Sequence, residues 1–169
     1  MKKKLLLLLI SLLLNASDTT YKITPMIGYT FPNGGQEIRD HTIFVAEGQF
    51  NNFDTVLKPE LSVMYGDVDR NDELVGDIDI FRFALNGVYE FEKIYFITPL
   101  IKVGLGYETM SDHIYGNHNG FFVDAGVGMK ILLDKNVAFK IEAIEMQKYN
   151  HSQWDNNLVY LAGFVITFN

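Results

Sequence analysis

Apolar side chains recur at every second residue in eight separate stretches of this chain. A period of two marks a strand, whose side chains point alternately to opposite faces, so each stretch predicts a strand with one greasy side. Residues 21–31 put Tyr21, Ile23, Ile27, Tyr29 and Phe31 on one face, and 41–50 set Thr42, Phe44, Ala46 and Phe50 against Ile43, Val45, Glu47 and Gln49. Further strands are predicted at 55–66, 77–90, 94–108, 121–133, 137–148 and 157–168. In 121–133, Phe121, Val123, Val127, Met129 and Ile131 oppose Asp124, Gly126, Gly128 and Lys130. The alternation of the seventh strand becomes mixed from Ile144 to Lys148, and both faces of the eighth are apolar.

The connections alternate in length. Residues 51–54, 90–93 and 134–136 form short turns, whereas PNGGQEIRDH, DVDRNDELVG, TMSDHIYGNHNG and NHSQWDNN read as long polar loops. Short and long connections in strict alternation imply an up-and-down antiparallel meander with all its long loops at one end.

The polar faces gather Glu47, Glu60, Arg82, Lys102, Glu108, Asp124, Lys130, Lys140 and Glu142 among small residues, while the opposite faces carry large apolar side chains with Tyr near the strand ends. A soluble barrel or sandwich has the same period with the greasy side inward, and that rival stays open. Mixed charges that can neutralise one another across a narrow lumen favour the inverted arrangement. The expected fold is therefore all-β, an eight-stranded antiparallel up-and-down transmembrane β-barrel, closed because an unpaired strand edge in lipid leaves amides unsatisfied.

Composition narrows the function. Three lysines precede the apolar run Leu5 to Leu14, so residues 1–16 read as a secretory signal peptide, which leaves 17–169 for the barrel. The whole chain carries a net charge of -7, and without the leader eleven basic residues face twenty-one acidic ones, which disfavours nucleic acid as a partner. With no cysteine, disulfides and thiolate metal sites are excluded.

The stretches KITPMIGYTF, DIDIFRFALNGVYEF before ITPLIKVGLGYE, FFVDAGVGMKILLDKNVAFKIEA and the ending DNNLVYLAGFVITF, in that order, make residues 21–168 resemble the N-terminal barrel domain of the outer-membrane protein A family. The resemblance implies a bacterial outer-membrane location, short turns on the periplasmic side, and an interior of ion pairs rather than a wide channel. It also implies contact with outer-membrane lipids and lipopolysaccharide, and insertion by the barrel-assembly machinery through an aromatic C-terminal strand. Here Phe168 is followed by Asn169, and neither the Pro-rich linker nor the peptidoglycan-binding domain of many members follows the barrel.

The candidate site is the lumenal set Glu47, Glu60, Arg82, Lys102, Asp124, Lys130, Lys140 and Glu142, in which the cations are expected to pair with the carboxylates because an unpaired buried charge is costly. No catalytic, cofactor or metal residue is assigned. His113 and His118 with Asp112 fit no metal signature, and Asp67, Asp69, Asn71 and Glu73 lack the glycine a calcium loop needs. His151 and Ser152 near Glu142 or Glu145 suggest a hydrolase, but adjacent residues of a strand point to opposite faces. The expected function is that of a monomeric structural barrel with polar surface loops, with a low-conductance pore open as an added role. A lipid-modifying hydrolase and a soluble ligand-binding barrel are the rivals.

Overall fold

The computed structural model describes residues 20–33, 40–51, 56–68, 78–112, 116–150 and 153–168. They form eight strands: β1 (Tyr21–Asn33), β2 (His41–Phe50), β3 (Lys58–Val68), β4 (Ile78–Glu90), β5 (Ile97–Asp112), β6 (Gly116–Asp134), β7 (Val137–Asn150) and β8 (Gln153–Phe168). Each pairs antiparallel with its neighbour in sequence, and β8 returns to β1, so the sheet closes on itself without an edge. The leader at 1–16 lies outside the described residues.

Closure has a definite stagger. The ladder from Ile23 runs through Gly48, Leu61, Leu85, Leu105, Val123, Gln147 and Asn156 and returns to β1 at Asn33, ten residues further along. A stagger of this size tilts the strands strongly against the barrel axis and sets a lumen that side chains can fill.

The face assignment follows the alternation. Phe81, Ile101, Val123 and Phe164 point outward and are exposed, whereas Glu47, Glu60, Lys102 and Lys140 point inward and are buried. Aromatic rings band the outside at both ends. Tyr21 stacks on Phe168 and Phe139 meets Phe164 at the turn end, while Phe31 meets Tyr160 and Tyr107 meets Phe121 at the loop end. An apolar wall between two aromatic girdles is the surface a bilayer requires of a spanning barrel.

Two expectations need correction. The alternation of β7 does not become mixed: Ile144, Met146 and Lys148 continue the inward row, and Glu145 and Gln147 face outward. The third and fourth long loops are largely strand, since β5 and β6 extend to Asp112 and Gly116, and β7 and β8 to Asn150 and Gln153. Their polar residues simply continue the hairpin ladders past the apolar band. At the opposite end, the turn after β4 holds Tyr95 at φ 55, a left-handed conformation uncommon for a non-glycine residue.

Candidate functional site

The lumen is built in layers, because inward residues of successive strands stack along the barrel. Nearest the turn end, Glu90 accepts hydrogen bonds from Lys22 (3.4 Å), Lys58 (2.8 Å) and Lys130, and Lys130 also donates to Gln49 Oε1 (3.2 Å). Three ammonium groups thus share one carboxylate, at a mouth where water can still screen their repulsion.

The middle layer is tighter. Lys102 Nζ donates to Glu47 Oε1 (2.7 Å), Glu60 Oε1 (3.1 Å) and Glu142 Oε2 (3.0 Å). Lys140 Nζ donates to Glu47 Oε2 (2.6 Å) and Glu60 Oε2 (3.3 Å) and lies 2.9 Å from Glu142 Oε1. Each carboxylate therefore bridges both cations, and β2, β3, β5 and β7 are tied together across the lumen. Relative exposure of 2% for Lys102 and 0% for Lys140 shows that the cluster excludes solvent. Glycines on the facing strands make room for these long stems: a methyl group on Gly128 would lie 2.8 Å from Glu142 Cγ.

On the loop side of this cluster comes an apolar layer that includes Met26, Ile43, Val45, Met64, Phe122, Ile144, Met146 and Leu161. The Phe122 ring lies over Gly106, where a methyl group would sit 2.2 Å from its Cζ. Beyond it, Glu108 accepts from Arg82 Nε (2.7 Å) and Lys148 Nζ (2.6 Å), near the buried Asp155. Among the described residues, the seven inward cations Lys22, Lys58, Arg82, Lys102, Lys130, Lys140 and Lys148 match seven inward carboxylates, Glu47, Glu60, Glu90, Glu108, Asp124, Glu142 and Asp155.

Of the eight sequence-predicted site residues, Glu47, Glu60, Lys102, Lys140 and Glu142 meet in the middle cluster. Lys130 and Arg82 pair elsewhere, with Glu90 and Glu108, because they lie nearer the two mouths. Asp124, expected to be ion-paired, is buried with neither carboxylate oxygen hydrogen-bonded. Sequence reasoning missed Glu90 by assigning it to a turn, and Asp155 by assigning it to a loop. Lys22 and Lys148 carried a usable signal, since each occupies the inward parity of its strand.

The rival chemistries receive different answers. Glu142 is committed to the lumen and cannot reach the outer wall, where Glu145 accepts a hydrogen bond from Gln147 Nε2 (3.0 Å). His113, His151, Ser152, Asp69, Asn71 and Glu73 lie outside the described residues, as do the side chains of Asp112 and His118. Asp67 faces outward across from Asp79, which accepts from Tyr65 OH (2.7 Å).

The chain matches no protein-family model and no curated protein. It is similar in fold to several solved structures. Neisserial surface protein A has 11% identity and a TM-score of 0.66, over 90% of this chain and 98% of that one. The outer membrane protein OprG from Pseudomonas aeruginosa has 12% identity and a TM-score of 0.60, over 89% and 96%. The outer membrane enzyme PagL has 19% identity and a TM-score of 0.55, over 86% and 98%. With its apolar wall, aromatic girdles and ionic interior, the chain has the fold of a small outer-membrane β-barrel.

Proposed function

We propose that this chain is a structural, non-enzymatic protein of the bacterial outer membrane, a lipid-embedded monomeric barrel that is closed by its own side chains and displays polar connections on the outer side. The observation that carries the reading is the middle cluster, in which Glu47, Glu60 and Glu142 each bind both Lys102 and Lys140 and block the lumen. The apolar layer above it adds a second seal. In this reading the aromatic girdles meet lipid headgroups and lipopolysaccharide, and the barrel-assembly machinery inserts the chain through β8. The likeness to the outer-membrane protein A barrel belongs to the same proposal, supported by the eight-strand meander with its short turns at one end.

Planar-bilayer recording of the refolded protein tests it. The resting barrel is expected to show no steady conductance, and a steady current that scales with salt concentration would reject the closed lumen. Mature protein that stays folded and monomeric in buffer without detergent would reject the membrane reading itself.

A further inference from the structure

One row of the ladder runs across the barrel wall as Glu60, Asn86, Gly104, Asp124 and Met146, each directly opposite the next. Asn86 Nδ2 donates to Glu60 Oε1 (3.4 Å), so its amide oxygen points the other way. That oxygen fills the space over Gly104, where a methyl group would lie 1.9 Å from it. Directly across from Gly104 on the next strand stands Asp124, so Asn86 and Asp124 flank this side-chain-free position from either side.

Asn86 Oδ1 and both oxygens of Asp124, acceptors on either side of Gly104, receive no hydrogen bond from the protein. Turning the amide over only moves the conflict, because its oxygen would then face Glu60. Lys102, the cation on the neighbouring inward position of β5, has its three N–H donors spent on Glu47, Glu60 and Glu142. At the adjoining inward positions of β6 and β7, Phe122, Ile144 and Met146 carry no donor. The relative exposure of Asp124 is 6%, a depth at which an unsatisfied carboxylate is costly.

The local charge points the same way: Glu47, Glu60, Glu142 and Asp124 outnumber Lys102 and Lys140 by two. We propose that a monovalent cation binds in the lumen over Gly104, between the carboxylate of Asp124 and the amide oxygen of Asn86. One carboxylate and one neutral oxygen suit a hard monovalent ion completed by water. Among the described residues no group of three His, Cys, Asp or Glu side chains is gathered as a multivalent ion prefers. The ion would bridge β4 and β6 across the glycine and tie the ionic middle of the lumen to the apolar layer above it.

The test is thermal or urea unfolding of the refolded barrel in a zwitterionic detergent, in sodium chloride and in choline chloride of equal ionic strength. Sodium at ten times its dissociation constant multiplies the folded-to-unfolded ratio about tenfold. Wild type is expected to gain this stability in sodium over choline, and Asp124→Asn, whose amide supplies the missing donor to Asn86, is expected to show no gain. Equal sodium responses in the two proteins would overturn the site. So would a wild type indifferent to sodium whose stability rises on acidification to that of Asp124→Asn, since the occupant would then be a proton. If Asp124→Asn does not fold, Asn86→Ala takes its place: a weakened sodium response supports the site and an unchanged one overturns it.

Discussion

Replacing Lys140 by Met removes one of two cations from a cluster with no solvent to compensate. In the native barrel, Lys140 Nζ holds Glu47 at 2.6 Å, Glu142 at 2.9 Å and Glu60 at 3.3 Å, and Lys102 serves the same three carboxylates. Without Lys140, three carboxylates share one ammonium group, each keeping a single hydrogen bond from Lys102, so the excess negative charge must stay uncompensated or be relieved by taking up a proton. Removing one member of a buried ion cluster typically costs about 3–5 kcal/mol, most of it the burden of the charge left behind. The exposed turn residue Lys93 sets the scale of a harmless loss, and Lys93→Met is expected to change stability by less than about 0.5 kcal/mol. Urea unfolding in phospholipid vesicles, followed by far-UV circular dichroism and by heat-modifiable gel migration, measures both. Adding Glu142→Gln to Lys140→Met restores the balance and should recover more than half of the loss. If Lys140→Met costs no more than Lys93→Met, or if the double variant is less stable than the single, the lumen is wet and the electrostatic argument fails.

Val127, in the middle of β6 and 61% exposed on the outer wall, tests the lipid-facing side. Val127→Arg should cost about 2–4 kcal/mol in vesicle unfolding, the value for a cation near the bilayer midplane; a neutral outcome would place that face in water. Phe122→Ala removes the ring that lies over Gly106 and should destabilise by about 3–5 kcal/mol in the same vesicle unfolding. A loss below about 1 kcal/mol would show that the ring is not packed on that glycine. Glu90→Gln takes the shared acceptor from Lys22, Lys58 and Lys130 and should cost about 1–3 kcal/mol at low salt, with a smaller penalty at 1 M salt because the repulsion is screened. A penalty that grows with salt would contradict the assignment.

The barrel was readable in the sequence because a two-residue period fixes the face of every side chain once one is oriented. Lys102, Lys140 and Glu142 are inward by the same parity that sends Ile101, Ile141 and Val103 outward. The pairing of charges was not readable, since it depends on how far each residue lies along a tilted strand. Arg82 and Lys130 share the parity of Lys102, yet the stagger carries them towards opposite mouths, to Glu108 and Glu90. Asp124 shows the limit most clearly: its row places Gly104 and Met146 on either side, and neither can supply a donor. The upper ends of β5 to β8 were hidden for a different reason. Beyond the lipid an alternating apolar face is no longer needed, so strand continues in polar sequence with turn-forming composition.

The ten-residue offset around the ring restricts how such a chain can change its length. Inserting one residue within β6 would turn every side chain beyond it to the other face, bringing Asp124 out to lipid and Val123 into the lumen. A single addition inside a strand is therefore acceptable only where a bulge takes it up, as between Leu132 and Asp134 of β6, and a pair keeps the faces but would shift β6 against both neighbours, separating Lys130 from Glu90. The parity rule binds only inside the strands, so growth and sequence variation should accumulate between them while the wall keeps its length.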